Sequence, residues 1–229
     1  MTSEIETQPS KAVAPNAAPK WRKLLLQFAA GMVFGGLVGF GFGYLADRYL
    51  DAAQSEGVSF SVAIAGAVAV IYIVMAVIVL AGSLSPRMGA MLLNVEDEAE
   101  VRELQSQLLN SGLGMVLWGV ALMALALAAP VGPLPTPAAL VIAAVGLVSG
   151  LWFAWKTYRS SDELLLAINL EAGALTYGLM LVVLGGWGML AHLDYVTGPQ
   201  PLDLLTACYV LALLATFISA GRRGMLMPR

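Results

Sequence analysis

The chain has 229 residues, of which 59% are hydrophobic and only 12% charged, with a formal net charge of −3 and a mean hydropathy of +0.80. Soluble globular domains carry about 25% charged residues, so this composition excludes them and points to a protein embedded in lipid. A single cysteine, Cys208, excludes an intrachain disulfide, and a single histidine, His192, excludes a metal or haem centre built from several ligands within one copy.

Residues 1–19 are rich in Pro and Ala without apolar periodicity, which predicts a disordered cytoplasmic tail. Six apolar segments without a charged residue follow, at 24–45, 60–82, 112–129, 138–155, 172–191 and 204–220. At a rise of about 1.5 Å per residue each crosses, or nearly crosses, a hydrocarbon core of about 30 Å. The expected fold is an all-α, polytopic integral membrane protein, with one six-helix transmembrane domain over 20–221 and a short basic cytoplasmic tail at 222–229. Lys20, Arg22 and Lys23 before the first segment resemble the start of a signal peptide, but 22 apolar residues exceed the ~7–15 of such a region. The segment is expected to be a retained first helix.

Threading the six segments in order places eleven of the twelve Lys and Arg residues on one side, and only Arg48 on the other. Basic residues near helix ends stay cytoplasmic, so both termini are expected in the cytoplasm, most simply of a bacterial inner (plasma) membrane. Trp21, Trp152 and Trp155 lie beside basic residues, where amphipathic rings anchor at the interface.

Gly31, Gly35, Gly39 and Gly43 recur every four residues in the first segment, the spacing of a glycine zipper. Such a face lets another backbone approach closely and is expected to pack against the bundle, a second copy or a partner helix. Smaller faces of the same type occur at Gly146 and Gly150, and at Ala174, Gly178 and Gly186.

Two cytoplasmic loops carry helix-start signals. Asn94 is placed to cap a helix whose first turn holds Glu96, Asp97 and Glu98, while Ser160 and Glu163 have the spacing of a capping box. Both helices are expected to run unbroken into the following membrane segments, the first with an apolar stripe of Val101, Leu104 and Leu108 lying on the headgroups or against the second extension. The acidic run Glu96, Asp97, Glu98 and Glu100 is the expected partner-docking surface.

Catalytic chemistry finds little to work with here, and neither a metal nor a cofactor is expected. His192 ends the fifth segment beside Asp194, where it is expected to be a solvated interfacial residue. Glu171 and Asn169 fall at the inner edge of the hydrocarbon; deeper, they would form an intramembrane polar pair of the kind that marks function. The composition favours a structural or accessory role, a helix-packing subunit or assembly factor in contact with membrane lipids and with a second copy or a membrane protein, not with nucleic acid. The competing role is a transporter or channel for a small, weakly polar or lipid-like substrate.

Overall fold

The computed structural model describes residues 60–93, 95, 98–130 and 132–225. The tail 1–19, the first apolar segment 24–45 with its glycines Gly31, Gly35, Gly39 and Gly43, and the acidic residues Glu96 and Asp97 lie outside the described residues.

Seven helices account for almost all of the described chain, and no strand occurs among them: α1 (Phe60–Leu84), α2 (Pro86–Leu92), α3 (Glu98–Glu103), α4 (Gln105–Ala126), α5 (Thr136–Ser160), α6 (Glu163–His192) and α7 (Pro201–Arg222). Five of them, α1, α4, α5, α6 and α7, are long and apolar enough to cross a membrane, as in an integral membrane protein. They cover the last five predicted segments and run past most of their ends; α4 alone stops short, at Ala126 rather than the expected 129. There Leu127 to Leu134 turn back on themselves, with Leu134 N donating to Leu127 O at 3.0 Å and Ala129 N to Leu134 O at 2.8 Å.

Helix starts follow from local chemistry. Pro86 begins α2 and Pro201 begins α7, where a fixed φ is helical and the missing N–H was unpaired in any case. Asp203 also accepts from the Gln200 backbone N–H at 2.8 Å. At α6 the capping residue is Asp162 rather than Ser160: its Oδ1 accepts from Leu165 N at 2.8 Å, while Ser160 is the last residue of α5. The two helices are too close in sequence for Ser160 to leave α5 and cap α6. From Glu163 onward α6 runs unbroken for 30 residues, as expected.

The other extension is not one straight helix. It bends at Leu104, between α3 and α4, because α3 is fastened to the corner between α1 and α2. Val101 is fully buried there, and a Cβ added to Gly89 would come within 2.8 Å of it. Val101 itself therefore faces protein, while Leu104 and Leu108 of the predicted stripe are half-buried. Gln105 Nε2 donates to Ser83 O at 3.1 Å, and Gln107 Nε2 donates to Ser160 O. The start of α4 is thus tied to the ends of both α1 and α5, and these ends share the side of the bundle that carries Lys156, Arg159, Arg222 and Arg223.

Contacts between the spanning helices run in the order α5, α4, α1, α7, α6, so that α4 is clasped on two sides while α6 leans mainly on α7. The tightest seams are made by glycine. A Cβ on Gly146 would lie 2.7 Å from Leu117 O, one on Gly150 2.3 Å from the Trp118 ring, and one on Gly119 2.7 Å from the Ile73 side chain. Without Cβ atoms, α4 meets α1 and α5 almost backbone to backbone, which is how helices associate where lipid removes the hydrophobic drive. The predicted face at Gly146 and Gly150 is therefore a packed seam. The one at Gly178 and Gly186 has no neighbour among the described residues: a Cβ at either position would meet none of them within 4 Å.

Gly146→Leu should therefore lower stability in detergent by at least the ~1–3 kcal/mol typical of overpacking, since a backbone carbonyl cannot swing aside. Gly185→Leu, at another open position of α6, should leave the melting temperature unchanged or slightly raised. Equal effects at both positions in a thermal unfolding assay would contradict the described seams.

Candidate functional site

Three aromatic residues tie the centre of the bundle together. Tyr72, halfway along α1, is buried and donates its hydroxyl to Tyr209 O on α7 at 2.9 Å. Tyr209 donates in turn to Trp118 O on α4 at 3.1 Å, and Trp118 Nε1 donates to Leu147 O on α5 at 3.4 Å. The rings meet edge to face, with centroids 5.0 Å apart for Tyr72 and Tyr209 and 6.5 Å for Trp118 and Tyr209. Such geometry sets the positive ring edge on the negative face. Each polar tip is satisfied by a helix carbonyl on another span, so four helices are linked near mid-span. Ala65, Val68, Ala69, Leu122 and Ala126 complete this core.

From this cluster a cavity of about 510 Å³ opens toward the basic end of the bundle. Its deep wall is Tyr72, Met75, Met115 and Trp118; its sides are Ala154 of α5 and Ala212, Leu213, Thr216 and Phe217 of α7; toward the basic end stand Asn110, Ser111, Thr157, Tyr158 and Asn169. The size falls within the ~300–1,000 Å³ of small-molecule sites. Thr157 and Thr216 have already turned their hydroxyls to carbonyls of their own helices, Phe153 O at 3.0 Å and Ala212 O at 2.8 Å. Among the described residues no charged side chain lines the walls.

The site residues expected from sequence fall in three places. Glu171 is not part of the cavity lining. It closes the α6–α7 seam at the basic end, where its Oε2 accepts from Arg223 Nη2 at 2.9 Å and Nε at 3.1 Å, and its Oε1 lies 3.9 Å from Arg222 Nη1. Asn169, two residues earlier, lines the cavity instead, so the two are not a joint polar pair. His192 is exposed in the turn that ends α6, at the opposite end of the bundle. Of the acidic run, Glu98 pairs with Arg87 at 3.8 Å across an exposed surface, and Glu100 has an interaction partner. Among the described residues no group of three His, Cys, Asp or Glu side chains is placed to hold a metal ion.

Sequence reasoning missed Tyr72, Tyr209, Trp118 and Asn110. The available signal was position: tyrosine and tryptophan in spans gather at the interfaces, whereas Tyr72 and Trp118 stand near the middle of theirs. No protein-family model, no curated protein and no solved structure matches this chain.

Tyr72→Phe should cost about 0.5–1.5 kcal/mol, the range for one interhelical hydrogen bond in a membrane, because Tyr209 O keeps its helical N–H when the hydroxyl goes. Tyr72→Ala, which also empties a buried ring site, should cost about 3–5 kcal/mol. Unfolding of both variants in mixed micelles distinguishes the two contributions.

Glu171→Gln should weaken the α6–α7 seam by no more than about 1 kcal/mol, since the carboxylate is partly open to solvent. The difference from the parent protein should shrink as salt rises from 0.05 to about 0.5 M, because screening weakens the parent's ion pair. A salt-independent difference would show that packing, not charge, holds that end.

Proposed function

We propose that this chain is an accessory membrane protein that holds a membrane-protein partner, or a second copy of itself, against the uncovered face of α6. We propose six spans, the sixth being segment 24–45, with both termini on the cytoplasmic side of a bacterial inner-type membrane. The orientation draws on the eleven-to-one basic asymmetry and is supported by the side-chain ties that gather the basic helix ends on one side.

The observation that carries the accessory role is α6 itself. None of the residues in its most apolar 18-residue stretch is buried, although the other four spans each bury part of theirs. In this protein the glycines of α1, α4 and α5 mark close helix neighbours, whereas Gly173, Gly178, Gly185, Gly186 and Gly188 of α6 have none among the described residues. Five glycines lower helix propensity by about 1 kcal/mol each relative to Ala, and close approach of another helix offsets that cost. The acidic residues Glu98 and Glu100 offer the same partner a charged surface on the basic side.

A second role, a transporter or channel for a weakly polar or lipid-like substrate, draws on the cavity. Among the described residues its walls hold no carboxylate to couple ions, which favours binding over ion-driven transport.

The full chain purified in mild detergent should retain a membrane-protein partner or a second copy. Gly178→Leu with Gly185→Leu should remove it at least tenfold without lowering the melting temperature, since each added side chain enters open space. Reporter fusions after Pro135 and Thr197 should read external, and those after Ser161 and Arg229 cytoplasmic. Retention of the partner by the double variant, or an external reporter at Arg229, would refute the corresponding part of the proposal.

A further inference from the structure

The cavity has two chemically different ends, and the difference specifies a ligand. At its deep end every polar group is already engaged: the Tyr72 hydroxyl and the Trp118 Nε1 both donate to helix carbonyls, leaving ring faces and the methionines Met75 and Met115 to line the void. Toward the basic end, Asn110 and Asn169 line the same void, and neither side-chain amide has a hydrogen-bond partner among the described residues. Asn110 is half-buried and Asn169 exposed, so both amides, each with two donors and an acceptor, are open to a ligand's polar head at the mouth of the void.

We infer that this cavity is a binding site for a neutral, single-chain amphipathic lipid, its hydroxyl or carbonyl head bonded by Asn110 and Asn169 and its chain directed to Tyr72 and Trp118. Depth agrees with this polarity. Asn110 and Asn169 sit within the first two turns of α4 and α6, at interfacial depth, whereas Tyr72 is at the midpoint of α1. A lipid entering from the leaflet on the basic side keeps its head at the level it already occupies. Charge selects the head: among the described residues no Lys or Arg lines the site to balance a phosphate or carboxylate, and Arg222 and Arg223 are turned toward Glu171. An anionic head would be desolvated without compensation. The inference is independent of the accessory role, since it concerns the bundle interior rather than the outer face of α6.

The full chain in phosphatidylcholine vesicles containing a diazirine-bearing monoacylglycerol tests it, with adducts mapped by peptide mass spectrometry after irradiation. Cavity residues such as Met115 and Thr216 should be labelled. Excess 1-oleoylglycerol should reduce that labelling at least tenfold and the same excess of phosphatidylglycerol should not, while labelling of the exposed Val148 on the outer side of α5 serves as the unchanged control. Asn110→Leu with Asn169→Leu should lower cavity labelling at least fivefold, and Thr216→Phe, which fills the void, should do the same with both amides intact. No adduct in the cavity, equal competition by phosphatidylglycerol, or full labelling of the double leucine variant would overturn the inference. So would an efficient disulfide between Gly35→Cys and Thr216→Cys in a Cys208→Ser background, which would make the chain's own first apolar segment the occupant. Loss of the α6 partner in the preceding experiment leaves these readouts unmoved, so the two proposals fail separately.

Discussion

In hydrocarbon a polar group without a partner costs several kcal/mol, and the bundle is organised around that constraint. Tyr72, Tyr209 and Trp118 bring hydroxyl and indole groups to mid-span, and each is satisfied only if a carbonyl from a different helix arrives at the right height. The resulting linkage fixes the vertical register of α1 against α7, of α7 against α4 and of α4 against α5. Leucine in these places could slide by a turn without losing much contact; a tyrosine hydroxyl cannot. Close glycine seams then become workable, because Gly119, Gly146 and Gly150 face a neighbour's bulk only in one register.

The same linkage shapes the cavity. By drawing α1, α4 and α7 together at mid-depth it seals one end of the void, while the basic end stays open between Asn110 and Asn169. The Glu171–Arg223 pair holds α6 and α7 together beside this opening. Core register, cavity floor and cavity mouth are therefore three consequences of where a few polar side chains find partners. Their effects should be coupled: residues that share partners seldom behave additively.

Much of this was legible in the sequence, and the remainder was hidden for specific reasons. Apolar runs of sufficient length have only one common solution in lipid, so the five described spans follow from composition alone. Gly146 and Gly150 declared a packed face because four-residue spacing places them on one side of α5. The identical signal at Gly178 and Gly186 led elsewhere, since spacing reports which residues share a face and not whether a neighbour occupies it. Ser160 looked like a cap because its side chain suits the role, but Asp162 holds it; competition between adjacent capping residues is decided by where the preceding helix stops. The bend at Leu104 depends on Val101 docking between α1 and α2, a tertiary contact with no local signature. The cavity draws on five helices, and no single segment carries its pattern. Glu171 was expected at the edge of the hydrocarbon but not credited with its arginines, which lie 51 and 52 positions further along the chain.

The unequal seams also set an order for making and unmaking the protein. α1, α4 and α5 are interlocked through backbone-to-backbone approach, so their separation must break many close contacts together. α6 has one principal neighbour and an ion pair at a single end. As an apolar span it is stable in lipid by itself, so it can insert independently and join the bundle last. Among the described spans it is also the one that a membrane protease or a thermal excursion would detach first. In local opening, protection of backbone amides would fall along α6 well before it fell along α4, and the bundle would part along the α6–α7 line.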